Sequence, residues 1–167
     1  MRVGIGYDVH PLKAGRDLIL GGVPIGHPVG LDGHSDADVL THAVIDALLG
    51  AAGLGDIGKL FPSSDPRFKN ASSLALLSTA ADAVRAAGYR IVNVDSTVIA
   101  EEPRLQPHLQ QMRQNLSMVA KVNLGHVSVK ATSPEGLGAL GQKHGIAAQA
   151  VALIEEVHLL GDQAEET

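Results

Sequence analysis

Residues 2–7, Arg-Val-Gly-Ile-Gly-Tyr, alternate apolar and other residues and run straight into Asp8-Val9-His10. Alternation of period two marks an extended strand, and residues two apart on a strand project from one face, so Asp8 and His10 can grip one object. A third donor, His42, follows the block His34-Ser35-Asp36-Ala37-Asp38 in a segment with helical patterning. Two imidazoles and one carboxylate form a borderline-soft set that suits zinc and leaves a fourth tetrahedral position open. An open position points to catalysis, because structural zinc is usually closed by four protein ligands. An isolated Asp-x-His more often reads as two unrelated surface residues; His42 and its neighbours favour zinc.

Further along, 16–22 suggest a short strand entering a turn, and 26–35 a loop punctuated by Gly and Pro. Ser35 or Asp36 is the expected cap of a helix over about 36–52, with acidic residues in its first turn, ending near Gly53 or Gly55. Residues 55–70 form a second irregular stretch, long enough inside a domain to suggest function. Helices are expected over about 71–87, capped by Ser72, and over 106–121, with strands over 89–100 and 126–132. Ser128, Lys130 and Thr132 share one face of the last strand, and Lys130 reads as an exposed strand residue. The segment 145–157 is ambiguous by propensity between helix and buried strand. Without repeats or an internal linker, this is one α/β-layered domain.

Composition narrows the partners. The 167 residues suffice for one sizeable core, and with aromatic residues at only 2% that core is built from Ala, Val, Leu and Ile. So few aromatics exclude base-stacking platforms, and a net charge of −5 argues against a nucleic-acid backbone binder. The absence of cysteine excludes disulfides and thiolate metal sites and fits a reducing compartment. Neither a signal-peptide pattern nor an apolar run long enough to span a bilayer is present, so a cytoplasmic protein with no membrane partner is expected.

Four blocks together carry a resemblance: Asp8-Val9-His10; His34-Ser35-Asp36 through His42; Gly55-Asp56-Ile57-Gly58-Lys59-Leu60-Phe61-Pro62; and Lys130-Ala131-Thr132-Ser133-Pro134-Glu135. In order and without large gaps over residues 1–158, they resemble the 2-C-methyl-D-erythritol 2,4-cyclodiphosphate synthase family of the non-mevalonate isoprenoid route. The resemblance implies an α+β fold, a mixed β-sheet with helices packed on one side, in which 145–157 is a strand. It also implies a homotrimer with active sites between adjacent subunits, and a polar tail at 159–167 expected to be disordered. The reaction implied is metal-dependent. The 2-phosphate of a cytidine diphosphate-linked methylerythritol attacks the β-phosphate, closing a cyclic diphosphate and expelling CMP.

Because the nucleophile is a phosphate oxygen, positioning and charge neutralisation are the main tasks. The resemblance gives zinc to Asp8, His10 and His42, and a second ion, Mg²⁺ or Mn²⁺, to the phosphates with Glu135 as its protein partner. His34 and Ser133 are the implied catalytic donors, with Ser35 and Thr132 beside them. Asp56, Ile57 and Gly58 match positions that bind the erythritol hydroxyls, under a loop formed by Phe61, Pro62, Ser63, Ser64 and Asp65. Ala100, Glu101, Glu102, Pro103, Arg104, Leu105 and Gln106 would form the cytidine pocket, and Pro134 completes the phosphate loop. Arg104 stands where the family often carries Lys, which keeps the charge and changes the geometry.

Asp38 and Asp46, four residues either side of His42, are candidates to hold its free ring nitrogen, and a solvated acidic face is the alternative. Several family members line an axial cavity with Arg and Glu. Gln142 and Gln149 stand there instead, which implies loss of isoprenoid diphosphate binding on that axis, with Lys143 expected in a strand and pointing away. His27, His108, His126, His144 and His158 have no partner pattern. Two rivals remain: a zinc phosphohydrolase using the same ligands on water, and a non-catalytic cytidine-nucleotide-binding protein.

Overall fold

The N-terminal alternation extends beyond residue 7: β1 spans Arg2–Ala14 and carries both Asp8 and His10. This computed structural model describes residues 1–157; the expected domain end at His158 and the tail at 159–167 lie outside the described residues. Next come β2 (Leu18–Leu20), β3 (Val23–Ile25) and β4 (Val29–Leu31), then α1 (Val39–Ala52) and the short α2 (Ile57–Leu60). The chain continues through α3 (Ser73–Ala86), β5 (Tyr89–Ile99), α4 (Leu109–Ala120), β6 (Val127–Thr132), α5 (Gly138–Gly141) and β7 (Gly145–Glu156). The main sheet has the order β4-β1-β7-β5-β6, antiparallel except for the parallel β5–β6 pair. It is a mixed sheet, as expected.

Segment 145–157 is a strand because Ile146, Ala148, Ala150, Ala152 and Ile154 alternate inward beneath α1 while both edges pair with β1 and β5. Tertiary pairing overrides the helix preference of its alanines. One piece of the expected 26–35 loop is also a strand: β4 adds to the edge of β1 through Leu12↔Leu31 and Ala14↔Val29. Lys143, expected in a strand, precedes β7 with a left-handed φ of 63° and pairs with Glu102. Lys130 is an exposed strand residue, as read from sequence, paired with Asp95.

Helices cover one face only. α1 lies on β1 and β7, and α3 and α4 lie over β5 and β6. Close approach of α1 is a matter of small residues: a Cβ on Gly6 would fall 1.9 Å from the Ala43 carbonyl oxygen, and one on Gly4 2.1 Å from that of Ala47. On the opposite face Val3, Ile5, Tyr7, Val9 and Val151 are exposed, an apolar stripe without cover in a single chain.

The start of α1 differs from expectation. Neither Ser35 nor Asp36 caps it; Asp38 does, accepting the Thr41 N–H at 3.0 Å, and no acidic residue falls in the first turn. The same fully buried carboxylate accepts the Thr41 hydroxyl and the N–H groups of Gly21 and Gly22. Those glycines form the two-residue β2–β3 turn, with φ of 55° and 69°, a conformation that favours glycine at both positions. Burial pushes the Asp38 carboxyl up against the pull of these hydrogen bonds. Asp38 is therefore a clasp between turn and helix, and its fully engaged carboxylate makes no hydrogen bond to the His42 ring. Ser72 stands before α3 without a side-chain capping bond; the carboxylate of Asp36, distant in sequence, takes the Ser73 N–H instead.

Candidate active site

β1 and α1 bring the three expected metal ligands together. Asp8 Oδ2 lies 2.9 Å from His10 Nε2 and 2.9 Å from His42 Nδ1, and the two ring nitrogens are 3.2 Å apart. Nδ1 of His10 lies 2.8 Å from the Asp32 carbonyl, which can only accept, so Nδ1 carries the ring proton and Nε2 turns a lone pair inward. Burial opposes ionisation of Asp8, but hydrogen bonds and charge from His10 and His42 outweigh it and hold the carboxyl well below its usual range. Burial likewise lowers His10, yet Asp8 raises it further, for a net upward shift. Asp8, His10 and His42 thus offer three ligand atoms within 4.8 Å of one another, an N/N/O set able to hold a divalent metal ion in place of the shared protons.

This cluster floors a cleft of about 380 Å³. His34 and Ser35 form one wall; Ile57, Gly58, Phe61, Pro62, Ser63 and Ser64 form the other. Phe68 and Leu76 also line it, an apolar backing that sequence reading did not assign. Phe61 is buried edge-on against Phe68, with ring centroids 5.3 Å apart, which packs the loop over the cleft. Asp56 and Asp65 are absent from the lining. Asp56 caps α2 through the Lys59 N–H, and the Asp65 carboxylate is held by Arg67 while its carbonyl lies 3.4 Å from His34 Nε2. Asp46 does not hold His42: it accepts the Ile57 N–H at 2.7 Å and so ties the 56–58 segment to α1. The ring nitrogen it was offered for, His42 Nε2, faces Ser73 Oγ at 2.9 Å and Ser35 Oγ at 3.1 Å. Ser73 belongs to a helix thirty residues on, and no spacing rule marks it.

The remaining expected residues gather elsewhere. Ala100 N–H donates to the Thr132 carbonyl, and the Ser133 hydroxyl donates to Glu101 and accepts the Glu135 N–H at 2.9 Å. Glu101 also accepts the Gly136 N–H, so it braces this loop. Glu102, Arg104, Gln106, Thr132, Ser133 and Glu135 present a polar surface, with Pro103 and Pro134 partly buried and Leu105 buried beneath it. None of residues 100–106 or 132–135 lines the cleft. Register explains why. Val9, Ala147, Ile99 and Thr132 form one row across the sheet, so β1 and β6 are three strand spacings apart, about 14 Å. Asp8 and His10 face the helices, whereas Thr132, alternating with buried Val127 and Val129, faces the helix-free side. Within one chain the 100–106 and 132–135 segments therefore stand apart from the metal cleft.

Fold and site together define a single-domain, mixed-sheet protein with a candidate metal centre in an open cleft. The chain belongs to the YgbB family, which it matches over residues 1–155. It is 60% identical over 156 residues to the 2-C-methyl-D-erythritol 2,4-cyclodiphosphate synthase of Syntrophomonas wolfei, covering 93% of this chain and 99% of that protein. The synthase of the same name from Clostridium kluyveri is 58% identical over 154 residues, covering 92% and 94%. Among solved structures, a CDP-bound form of such a synthase superposes with a TM-score of 0.85 at 38% identity, covering 92% of this chain and all 100% of that one. The bifunctional IspDF of Campylobacter jejuni superposes with a TM-score of 0.90 at 43% identity over 93% of this chain, which spans 42% of that longer protein.

Proposed function

We propose that this protein converts 4-diphosphocytidyl-2-C-methyl-D-erythritol 2-phosphate to 2-C-methyl-D-erythritol 2,4-cyclodiphosphate with release of CMP, a phosphorus–oxygen lyase of isoprenoid precursor synthesis. The observation that carries this reading is the Asp8–His10–His42 cluster flooring a cleft walled by 34–35 and 57–64, in a chain 60% identical to a named synthase along almost its whole length. An oxygen of the 2-phosphate attacks the β-phosphorus; the bond from that phosphorus to the bridging oxygen breaks, and CMP leaves with the electron pair. No proton must be removed from the nucleophile, so the protein's work is alignment and charge neutralisation.

Zinc held by Asp8, His10 and His42 would supply Lewis-acid polarisation and an anchor for a phosphate oxygen. Glu135 is the carboxylate for a second, hard cation, Mg²⁺ or Mn²⁺. His34 and Ser35 donate to the 2-phosphate from the segment ahead of α1, and Thr132 and Ser133 donate to the diphosphate. Residues 56–58, held to α1 by Asp46, orient the erythritol, and the 61–65 loop excludes water. Ala100–Gln106 read the cytidine, with Arg104 nearest the phosphates. Glu135→Gln keeps the shape of the side chain and removes its charge. It is expected to weaken Mg²⁺ or Mn²⁺ dependence while zinc content stays at one per subunit; loss of zinc would assign Glu135 to the first site.

The functional unit of this reading is a homotrimer in the cytoplasm. Its support is the uncovered stripe of Val3, Ile5, Tyr7, Val9 and Val151, together with the separation of the 100–106 and 132–135 segments from the metal cleft. A neighbouring copy would bring its 100–106 and 132–135 loops to this chain's metal cleft. The test mixes two inactive chains, His42→Ala and Ser133→Ala, and follows CMP release. If each site draws its halves from adjacent subunits, about one site in four of an equal mixture is native in both halves, and about a quarter of the activity returns. No recovery in mixed trimers verified by mass would sink the shared-site arrangement. Release of inorganic phosphate in place of CMP would sink the cyclase reading in favour of a hydrolase.

A further inference from the structure

We infer that Asp36 and Ser73 are positioning residues that fix the ring tautomer of His42. The inference rests on the reading of Asp8, His10 and His42 as a zinc site. Ser73 is the first residue of α3 and is fully buried, with Oγ 2.9 Å from His42 Nε2. Behind it, the Asp36 carboxylate accepts both the Ser73 N–H, at 2.9 Å, and the Ser73 hydroxyl. A hydroxyl has one proton, and a carboxylate can only accept. With that proton directed to Asp36, Ser73 Oγ meets the imidazole as an acceptor. Nε2 must then carry the ring hydrogen, which leaves Nδ1 as a bare lone pair facing Asp8 and His10. In the other tautomer two lone pairs would oppose each other in a buried site and an N–H would point at the metal position.

The same logic determines Ser35. Its Oγ lies 3.1 Å from His42 Nε2 and accepts the Ala37 N–H. Since Nε2 is a donor, it has no use for the Ser35 proton, which stays available to the cleft that Ser35 lines. The arrangement also ties the 34–36 wall of the site to the segment that begins α3. Asp36 N–H donates to the Ala71 carbonyl and Asn70 N–H to that of His34, so segments 34–36 and 70–73 move as one with the relay. Carboxylates that orient a metal-bound histidine generally act through its other nitrogen directly; here a serine stands between.

The experiment measures zinc affinity of the full-length protein by competition with a chromophoric chelator, alongside ¹⁵N spectra of the His42 ring. Ser73→Ala is expected to raise the zinc Kd on the order of 10- to 100-fold and to remove exchange protection from the His42 Nε2–H. Asp36→Asn presents an amide N–H that can turn the Ser73 hydroxyl proton onto His42, so it should weaken zinc by a similar factor. In a Ser73→Ala background, where no relay remains, Asp36→Asn should change the Kd by less than about twofold. Thermal unfolding of the metal-free variants separates loss of the α3 cap from loss of the relay. An unchanged zinc Kd in Ser73→Ala overturns the inference, as does an equal effect of Asp36→Asn in both backgrounds. A native protein that binds no zinc overturns the metal reading itself, and the inference with it.

Discussion

His42→Ala is expected to yield a folded protein that holds no zinc and has lost activity by at least on the order of 10³-fold, the scale on which a preorganised charge stabiliser acts. The imidazole supplies one of three ligand atoms, and the two that remain, on Asp8 and His10, share a strand and approach from one side. Two ligands cannot hold the ion against water. Folding survives because alanine is favourable within a helix and the Asp36–Ser73 pair stays mutually satisfied when His42 is gone. Metal analysis, CMP release and thermal unfolding read the three parts separately. One zinc per subunit with full activity in this variant would refute the metal assignment. Loss of the fold would mean that the site is needed structurally.

Gly6→Ala is expected to cost more than about 3 kcal/mol of stability, beyond the usual range for an overpacked core. The added Cβ would stand 1.9 Å from the Ala43 carbonyl oxygen and 2.8 Å from the Ala47 nitrogen, both backbone atoms that no rotamer change can move. α1 must then lift from β1. Because His42 precedes Ala43 on that helix and Asp8 follows Gly6 by two residues on that strand, lifting α1 pulls Nδ1 away from Asp8 Oδ2, 2.9 Å in the native protein. Stability and zinc affinity should therefore fall together, by urea denaturation and chelator competition. A variant with native stability would show that the helix is not seated on the glycine, contrary to the contact described.

The two predictions meet at one seam, where the reach of sequence reading is plainest. That Asp8 and His10 share a face follows from the period of a strand, and that His42 lies on a helix follows from spacing and composition; both are local properties. The partner of a local pattern is not local. Ala43, Ala47 and Ala51 recur every fourth residue, but nothing in that spacing says that Gly4 and Gly6 receive them. Capping went astray for the same reason. Ser35 and Asp36 have the chemistry of a helix cap and stand at the right place, yet the buried turn at Gly21-Gly22 draws Asp38 into that role. Asp36 is left free to cap a different helix. Asp46 has the spacing of a histidine partner and serves Ile57 instead.

By itself the sequence determined the chemistry on offer: two imidazoles and a carboxylate with no thiolate to compete, a net negative chain with few aromatics, and blocks whose order identifies the family. These depend on residue type and near-neighbour spacing. Tertiary structure alone decided which acceptor each proton faces. It turned His42 Nε2 toward Ser73, committed Asp38 to a turn, and set the 100–106 and 132–135 segments apart from the metal cleft. Such choices are set by competition among groups distant in the chain for a few buried hydrogen bonds, and that competition exists only once the helices have packed on the sheet.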